Sequence, residues 1–203
     1  MAEEHTSWGD GKHSEAVFLE VAGCVSRYNA PMGRLVNIGH ISDEDEEMSK
    51  ICIDSFNSTL NALNQIGAGI SIGEDGRVHL CKRNQSFHYC ENALNFGNSG
   101  TGLRLMLGLT SGMGLKASFC GDESLSSRPM DRIIKPLTEM GAIIKSNKGK
   151  LPISISPTTF KKQYKYELPV ASAQVKSSIL LAGLAAGTNI EIIEPIQTRD
   201  HTE

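Results

Sequence analysis

A chain of 203 residues can form one sizeable domain or two small ones, and 39% apolar with 21% charged residues is ordinary for a soluble globular protein. A formal net charge of −3 and only 5% aromatic residues remove the electrostatic and the stacking grounds for nucleic-acid binding. Any anionic ligand must therefore be held by local positive charge. The cysteines at 24, 52, 81, 90 and 120 form no Cys-x-x-Cys pair and read as reduced thiols, neither a disulfide frame nor a zinc site. The longest apolar stretch, Ile179 to Ala186, is too short to span a bilayer. The N-terminus, with Glu3 and Glu4, lacks a signal-peptide core and the basic character of a transit peptide. These features lead us to expect a cytoplasmic protein with neither a membrane nor a nucleic acid as partner.

Residues 1–50 read as a divergent, unassigned N-terminal segment. Gly9, Gly11, Gly23, Pro31, Gly33 and Gly39 break any helix there longer than Ser14 to Ala22. The run Asp43-Glu44-Asp45-Glu46-Glu47 reads as a solvated acidic stretch or a helix start, since a cation site needs a defined ligand geometry. From residue 51 onward an internal repeat organises the chain. Leu63, Ile66, Gly67 and Ala68 match Leu137, Met140, Gly141 and Ala142, always 74 positions apart. Each set ends an amphipathic helix at a glycine suited to a left-handed cap, before a strand.

A second helix type recurs at nearly the same offset. Ser99-Gly100-Thr101 precedes the apolar run Leu103 to Leu109, and Ser172-Ala173-Gln174 precedes Val175 to Leu184. Strand-like runs lie between: Arg77 to Cys81, Leu115 to Phe119, Leu151 to Ile155 and Asn189 to Ile193. Alternating strands and helices in units of this size predict an α/β protein. Arg199 falls where a third Gly-ending helix should open, and the sequence stops at Glu203, which reads as a truncation.

Four helix starts carry candidate chemistry. In Gly97-Asn98-Ser99-Gly100-Thr101-Gly102 the glycines let backbone approach a ligand, and a helix start attracts anions by ~0.3–1 kcal/mol. That is too little for specific binding, so an arginine or lysine must help. Arg128, before Pro129 at the expected opening of the Gly141-ending helix, can grip a carboxylate or phosphate with paired hydrogen bonds. Ser172, Gln174 and Lys176 form a third cluster and Arg199, Asp200 and His201 a fourth. Taken singly, the glycine turn reads more readily as an ordinary strand-to-helix turn and Arg128 as a solvated side chain; convergence of repeat-related helix starts on one face would make an anion-lined pocket. Asp200 and His201 are adjacent on a helix and do not face each other as a catalytic pair. His5, His13, His40, His79 and His88 have no metal-ligand spacing.

The segments Leu94 to Leu105, Gly121 to Met130, Leu168 to Ser177 and Glu194 to Glu203 resemble four linked signatures of 5-enolpyruvylshikimate-3-phosphate synthases. The resemblance is to the bacterial class with Ser-Ala-Gln and Thr-Arg-Asp-His-Thr-Glu, and runs from about residue 55 to the end. It implies repeated βαβαββ units of an inside-out α/β barrel, of which residues 51–203 would hold about two of the three in one domain. It also implies transfer of the enolpyruvyl group of phosphoenolpyruvate to the 5-hydroxyl of shikimate 3-phosphate, with release of phosphate and no metal or organic cofactor. Gly100, Arg128 and Gln174 match phosphoenolpyruvate contacts; Ser172, Ala173, Gln174 and Arg199 match shikimate 3-phosphate contacts.

The departures are equally specific. The family's opening Lys-Ser-x-Ser-x-Arg motif has no clear counterpart, Lys12 and Ser14 being at most a trace of it. Met130-Asp131 replaces the usual Met-Gly, and the second domain's acid–base residues are absent, so no catalytic residue is assigned. The chain alone is expected not to turn over. A non-catalytic remnant, or one half of a split enzyme completed by a second polypeptide, is the alternative. The sister enzyme, UDP-N-acetylglucosamine enolpyruvyl transferase, fits poorly: its reactive cysteine lies five residues before Arg-Pro, where this chain has Glu123.

Overall fold

The computed structural model describes residues 43–72, 78–80 and 87–196. Lys12, Ser14 and the cluster of Arg199, Asp200 and His201 lie outside them. Helix α1 (Asp43–Gln65) opens on the acidic run, a composition suited to a helix N-terminus. It begins ahead of residue 50, where the sequence suggested a boundary. Its C-terminal turn buries Ala62, Leu63 and Ile66 and closes at Gly67, whose φ of 96° needs a residue without Cβ. The Asn64 carboxamide exchanges two hydrogen bonds of 2.7 Å with the Ile70 backbone, fixing strand β1 (Ile70–Ile72) to the helix. β1 pairs antiparallel with β2 (Val78–Leu80).

A complete βαβαββ unit follows. It comprises β3 (Leu94–Asn95), α2 (Gly100–Gly112), β4 (Ala117–Cys120), the short helix α3 (Glu123–Ser127), α4 (Asp131–Met140), β5 (Ile143–Asn147) and β6 (Lys150–Ser156). The sheet order is β3-β4-β6-β5, with β3 and β4 parallel and the other pairs antiparallel. Lys148 and Gly149, with φ of 51° and 74°, form the two-residue turn of the β5–β6 hairpin. Then β7 (Gln163–Glu167) and β8 (Asn189–Ile193), a parallel pair, are joined by α5 (Ala173–Ala186). The described chain is thus one full unit, preceded by an αββ half and followed by a βαβ half. No helix among the described residues is long and apolar enough to cross a membrane.

The arrangement corrects one expectation. Arg128 does not open the Gly141-ending helix, and Pro129 is not its first residue. Arg128 caps the C-terminus of α3 in an extended conformation (φ −76°, ψ 138°). The ring of Pro129 disfavours helical backbone at the residue before it, so the chain stays extended until Met130. The Met130 N–H donates to the Gly149 carbonyl at 2.7 Å, and α4 starts one residue later.

The core lies between the mixed sheet and the helices. Phe96 and Phe119 stack at 6.1 Å, with Leu103, Leu107, Leu125, Leu137, Ile153 and Ile155 around them, all almost wholly buried. α2 and α5, the repeat-related pair, pack with backbone nearly touching. A Cβ on Gly108 would stand 2.1 Å from the Ser178 carbonyl oxygen, and one on Gly112 would stand 2.2 Å from that of Ala182. Both helices are apolar on nearly every side, as helices enclosed in a core must be.

Gly108→Ala should therefore destabilise the protein by roughly 1–3 kcal/mol through overpacking, more than offsetting the ~1 kcal/mol that alanine gains in helix propensity. Chemical denaturation of the two proteins measures the difference; a stabilised variant would mean that the two helices are not this close.

Candidate anion-binding site

The parallel pair β3–β4 sets the site. Its pairing continues past the strands: Phe96 N–H donates to the Cys120 carbonyl at 3.0 Å and Asp122 N–H to the Gly97 carbonyl at 2.9 Å. The loops leading into α2 and α3 therefore lie side by side at the carboxyl ends of two parallel strands, where α/β sheets commonly place their ligands. Gly97, at φ 51°, makes the turn into α2, and its N–H is held by the Asn95 side chain at 2.9 Å.

Ser99 anchors this corner. Its buried hydroxyl caps α2 by accepting from Gly102 N–H at 3.3 Å, accepts from the Ser55 hydroxyl at 2.7 Å, and lies 3.4 Å from that of Thr59. α1 is thereby tied to the start of α2. The fit is close: a Cβ on Gly102 would be 2.2 Å from Thr59 Oγ1.

An open cleft of about 460 Å³ lies over these helix starts, lined by Asp54, Ser55, Asn98, Gly100, Thr101, Arg104, Asp122, Arg128 and Gln174. Of the residues singled out by sequence, Gly100, Arg128 and Gln174 meet here. They come from the starts of α2 and α5 and the end of α3. Arg128 donates through Nη2 to Asn98 Oδ1 and, at 3.2 Å, to Ser124 Oγ, which turns its guanidinium over the α2 start. Gly100 makes room for it. A Cβ there would be 2.9 Å from Arg128 Nη1 and 3.0 Å from Arg104 Nη1, while its own N–H donates to the Asn98 carbonyl at 2.9 Å.

Ser172 and Ala173 are placed differently. Ser172 is the N-cap of α5, accepting from Val175 N–H at 3.5 Å, and lines a smaller, mainly apolar recess of about 200 Å³ with Tyr166, Leu168 and Val170. Ala173 is the first residue of α5, beside Gln174. Asn98, Thr101 and Arg104 had no role from sequence. Arg104 follows Gly100 by four positions on a helix, a spacing that puts both on one face, and this was the signal available.

The electrostatics favour an anion. Burial, then the nearby charges of Arg128 and Arg132, lower the Arg104 pKa from its ordinary value, yet a guanidinium stays protonated under such pressure. Neither Arg104 nor Arg128 forms an ion pair with a carboxylate among the described residues; the pairs formed there are Lys165–Glu191 and Lys176–Glu194. Asp122 faces the cleft but spends an oxygen on capping α3, accepting from Leu125 N–H at 2.7 Å. Asp54 also lines the cleft, so the positive charge is confined to the corner around Gly100, where the two guanidiniums converge unpaired and a bound anion would relieve their repulsion.

An α/β protein with an arginine-bearing cleft over repeat-related helix starts is the class that fold and site define. The family model EPSP synthase (3-phosphoshikimate 1-carboxyvinyltransferase) matches residues 51–203, and the chain belongs to that family. It is similar to the 3-phosphoshikimate 1-carboxyvinyltransferase of Vesicomyosocius okutanii subsp. Calyptogena okutanii (strain HA), with 58% identity over 110 residues, 54% of this chain and 25% of that protein. The enzyme of that name from Bartonella quintana (strain Toulouse) is 43% identical over 151 residues, 74% of this chain and 34% of that one. The solved EPSP synthase from Acinetobacter baumannii superposes with a TM-score of 0.67 at 42% identity, over 73% of this chain and 34% of its own. This chain spans between a quarter and a third of the length of these relatives.

Ser99→Ala should cost about 1–2 kcal/mol, because it removes the α2 cap and strands the Ser55 hydroxyl. Urea unfolding checks this; a loss below 0.5 kcal/mol would show that α1 and α2 are not joined through this hydroxyl.

Proposed function

We propose that this cleft is the phosphoenolpyruvate side of an enolpyruvyl transfer site whose second substrate is shikimate 3-phosphate. The observation that carries the reading is the placement of Arg128, unpaired with any described carboxylate, over Gly100 in the cleft that Gln174 also lines. In this reading Gly100, Arg128 and Gln174 hold phosphoenolpyruvate. Ser172, Ala173, Gln174 and Arg199 contribute to the shikimate 3-phosphate side, Arg199 lying outside the described residues.

The reaction joins the 5-hydroxyl of shikimate 3-phosphate to C2 of phosphoenolpyruvate while C3 gains a proton, and the tetrahedral intermediate then expels phosphate. What these residues offer is placement and charge. Arg128 can take a carboxylate or phosphate through two parallel N–H bonds, holding the vinyl carbon against the attacking hydroxyl and stabilising negative charge through addition and elimination. No lysine or histidine lines the cleft among the described residues. Of its two carboxylates Asp122 is spent on capping α3, and no proton transfer is assigned to a residue of the cleft.

Titration with phosphoenolpyruvate in the presence of shikimate 3-phosphate tests the reading. Arg128→Ala should weaken phosphoenolpyruvate binding on the order of tenfold to a hundredfold, and Arg128→Lys should recover little, since an ammonium cannot reproduce the planar fork. Equal affinity of parent and Arg128→Ala would sink the assignment. Gly100→Ala should weaken binding while changing stability by no more than about 1 kcal/mol, because alanine suits the helix and the conflict falls on the guanidinium groups. Weakened binding with a large loss of stability would instead make Gly100 a packing residue.

A further inference from the structure

Arg104 sits one turn into α2, half-buried, and reaches across to α5. Its Nη1 donates to Gln174 Oε1 at 2.9 Å, and Gln174 Nε2 donates to Thr101 Oγ1 at 2.9 Å. The arginine's own backbone is held from α5 too, its carbonyl accepting from the Ser178 hydroxyl at 2.9 Å. Gln174 thus lies between a guanidinium and a hydroxyl at the point where the two repeat-related helix starts meet.

The two neighbours of this carboxamide differ in chemistry. A threonine hydroxyl donates or accepts, and so tolerates either end of the amide. A guanidinium only donates, so the end facing it has to be oxygen. Reversing the amide would point its NH2 at a cation and leave a donor unsatisfied in a partly buried site, which is strongly disfavoured. The choice matters to an anion: the NH2 end attracts negative charge and the oxygen end repels it.

We propose that Arg104 is a positioning residue that locks the Gln174 carboxamide in one sense, oxygen inward and NH2 on the Thr101 side of the cleft. The charge that Arg104 brings beside Arg128 is then secondary to this orientation. The inference rests on the proposed function only in its consequence for phosphoenolpyruvate; the orientation itself is a property of the unliganded chain.

The test begins without ligand. In 15N relaxation measurements the Gln174 side-chain NH2 should be as ordered as the α5 backbone. Arg104→Met should leave it mobile, whereas Thr101→Val should not, because Arg104 still holds the oxygen. Arg104→Gln, a helix-favouring polar replacement, serves if the methionine variant does not fold. A mobile NH2 in the parent, or one as ordered without Arg104 as with it, overturns the proposal. Loosening by both variants alike also overturns it, since that is what general packing would produce. The consequence is read by phosphoenolpyruvate titration with shikimate 3-phosphate present. Arg104→Met should weaken binding roughly two- to tenfold, the worth of one oriented hydrogen bond, and this loss should vanish in a Gln174→Ala background. A loss that persists there would assign Arg104 a direct electrostatic role and contradict the proposal. Failure of the parent to bind phosphoenolpyruvate would count against the proposed function and leave the relaxation result decisive for Arg104.

Discussion

The close approach of α2 and α5 is the constraint on which the rest depends. Glycines at 108 and 112 let the helices touch along their backbones, leaving room between them only for small side chains such as those of Ser178 and Ala185. Their N-termini are then brought side by side, so that Thr101 and Gln174, each in the first turn of its own helix, share a hydrogen bond across 73 residues of sequence. The N-caps follow the same symmetry: Ser99 accepts from Gly102 N–H and Ser172 from Val175 N–H. The repeated helix starts thereby meet at one cleft, which Gly100 and Thr101 of α2 and Gln174 of α5 all line. A single helix N-terminus attracts an anion only weakly, and convergence turns that tendency into a place where arginines can finish the task.

The cleft's charge is local, because the chain as a whole is mildly acidic at −3. Arg104 and Arg128 reach the cleft from different elements and come within about 3 Å of the position a Gly100 Cβ would fill. Asn98, Ser124 and Gln174 hold them by neutral acceptors. A carboxylate in any of those positions would neutralise the guanidinium and compete with a ligand. Neutral acceptors fix direction and leave the charge available, as preorganised electrostatic binding requires.

Much of the fold was legible because repeats write the same physical demands twice. Gly67 and Gly141 lie 74 positions apart, and both have positive φ, 96° and 125°. The strand over Asn189–Ile193 appears where the strand-like run was read, and the other three runs hold strands whose ends differ by one or two residues. Arg128 was harder. It was read as the opening of a helix, since proline suits a first turn, but the same proline holds the preceding residue extended, and a separate five-residue helix absorbs the intervening chain. Asn98 and Thr101 gave no signal beyond belonging to a polar turn, because their roles depend on partners 30 and 73 residues away. Asp131, the departure from the Met-Gly of the resembled motif, also has a structural counterpart. Its carboxylate occupies the space that a Cβ on Gly149 would need, so the aspartate is accommodated by a glycine in the hairpin opposite.

The account stands or falls on where the ligand sits. Crystals of the chain grown with phosphoenolpyruvate and shikimate 3-phosphate test this most directly. Phosphoenolpyruvate density is expected between the Arg128 guanidinium and the Gln174 carboxamide, above the α carbon of Gly100. Density for phosphoenolpyruvate at another surface, with Arg128 still bound only to Asn98 and Ser124, would contradict it.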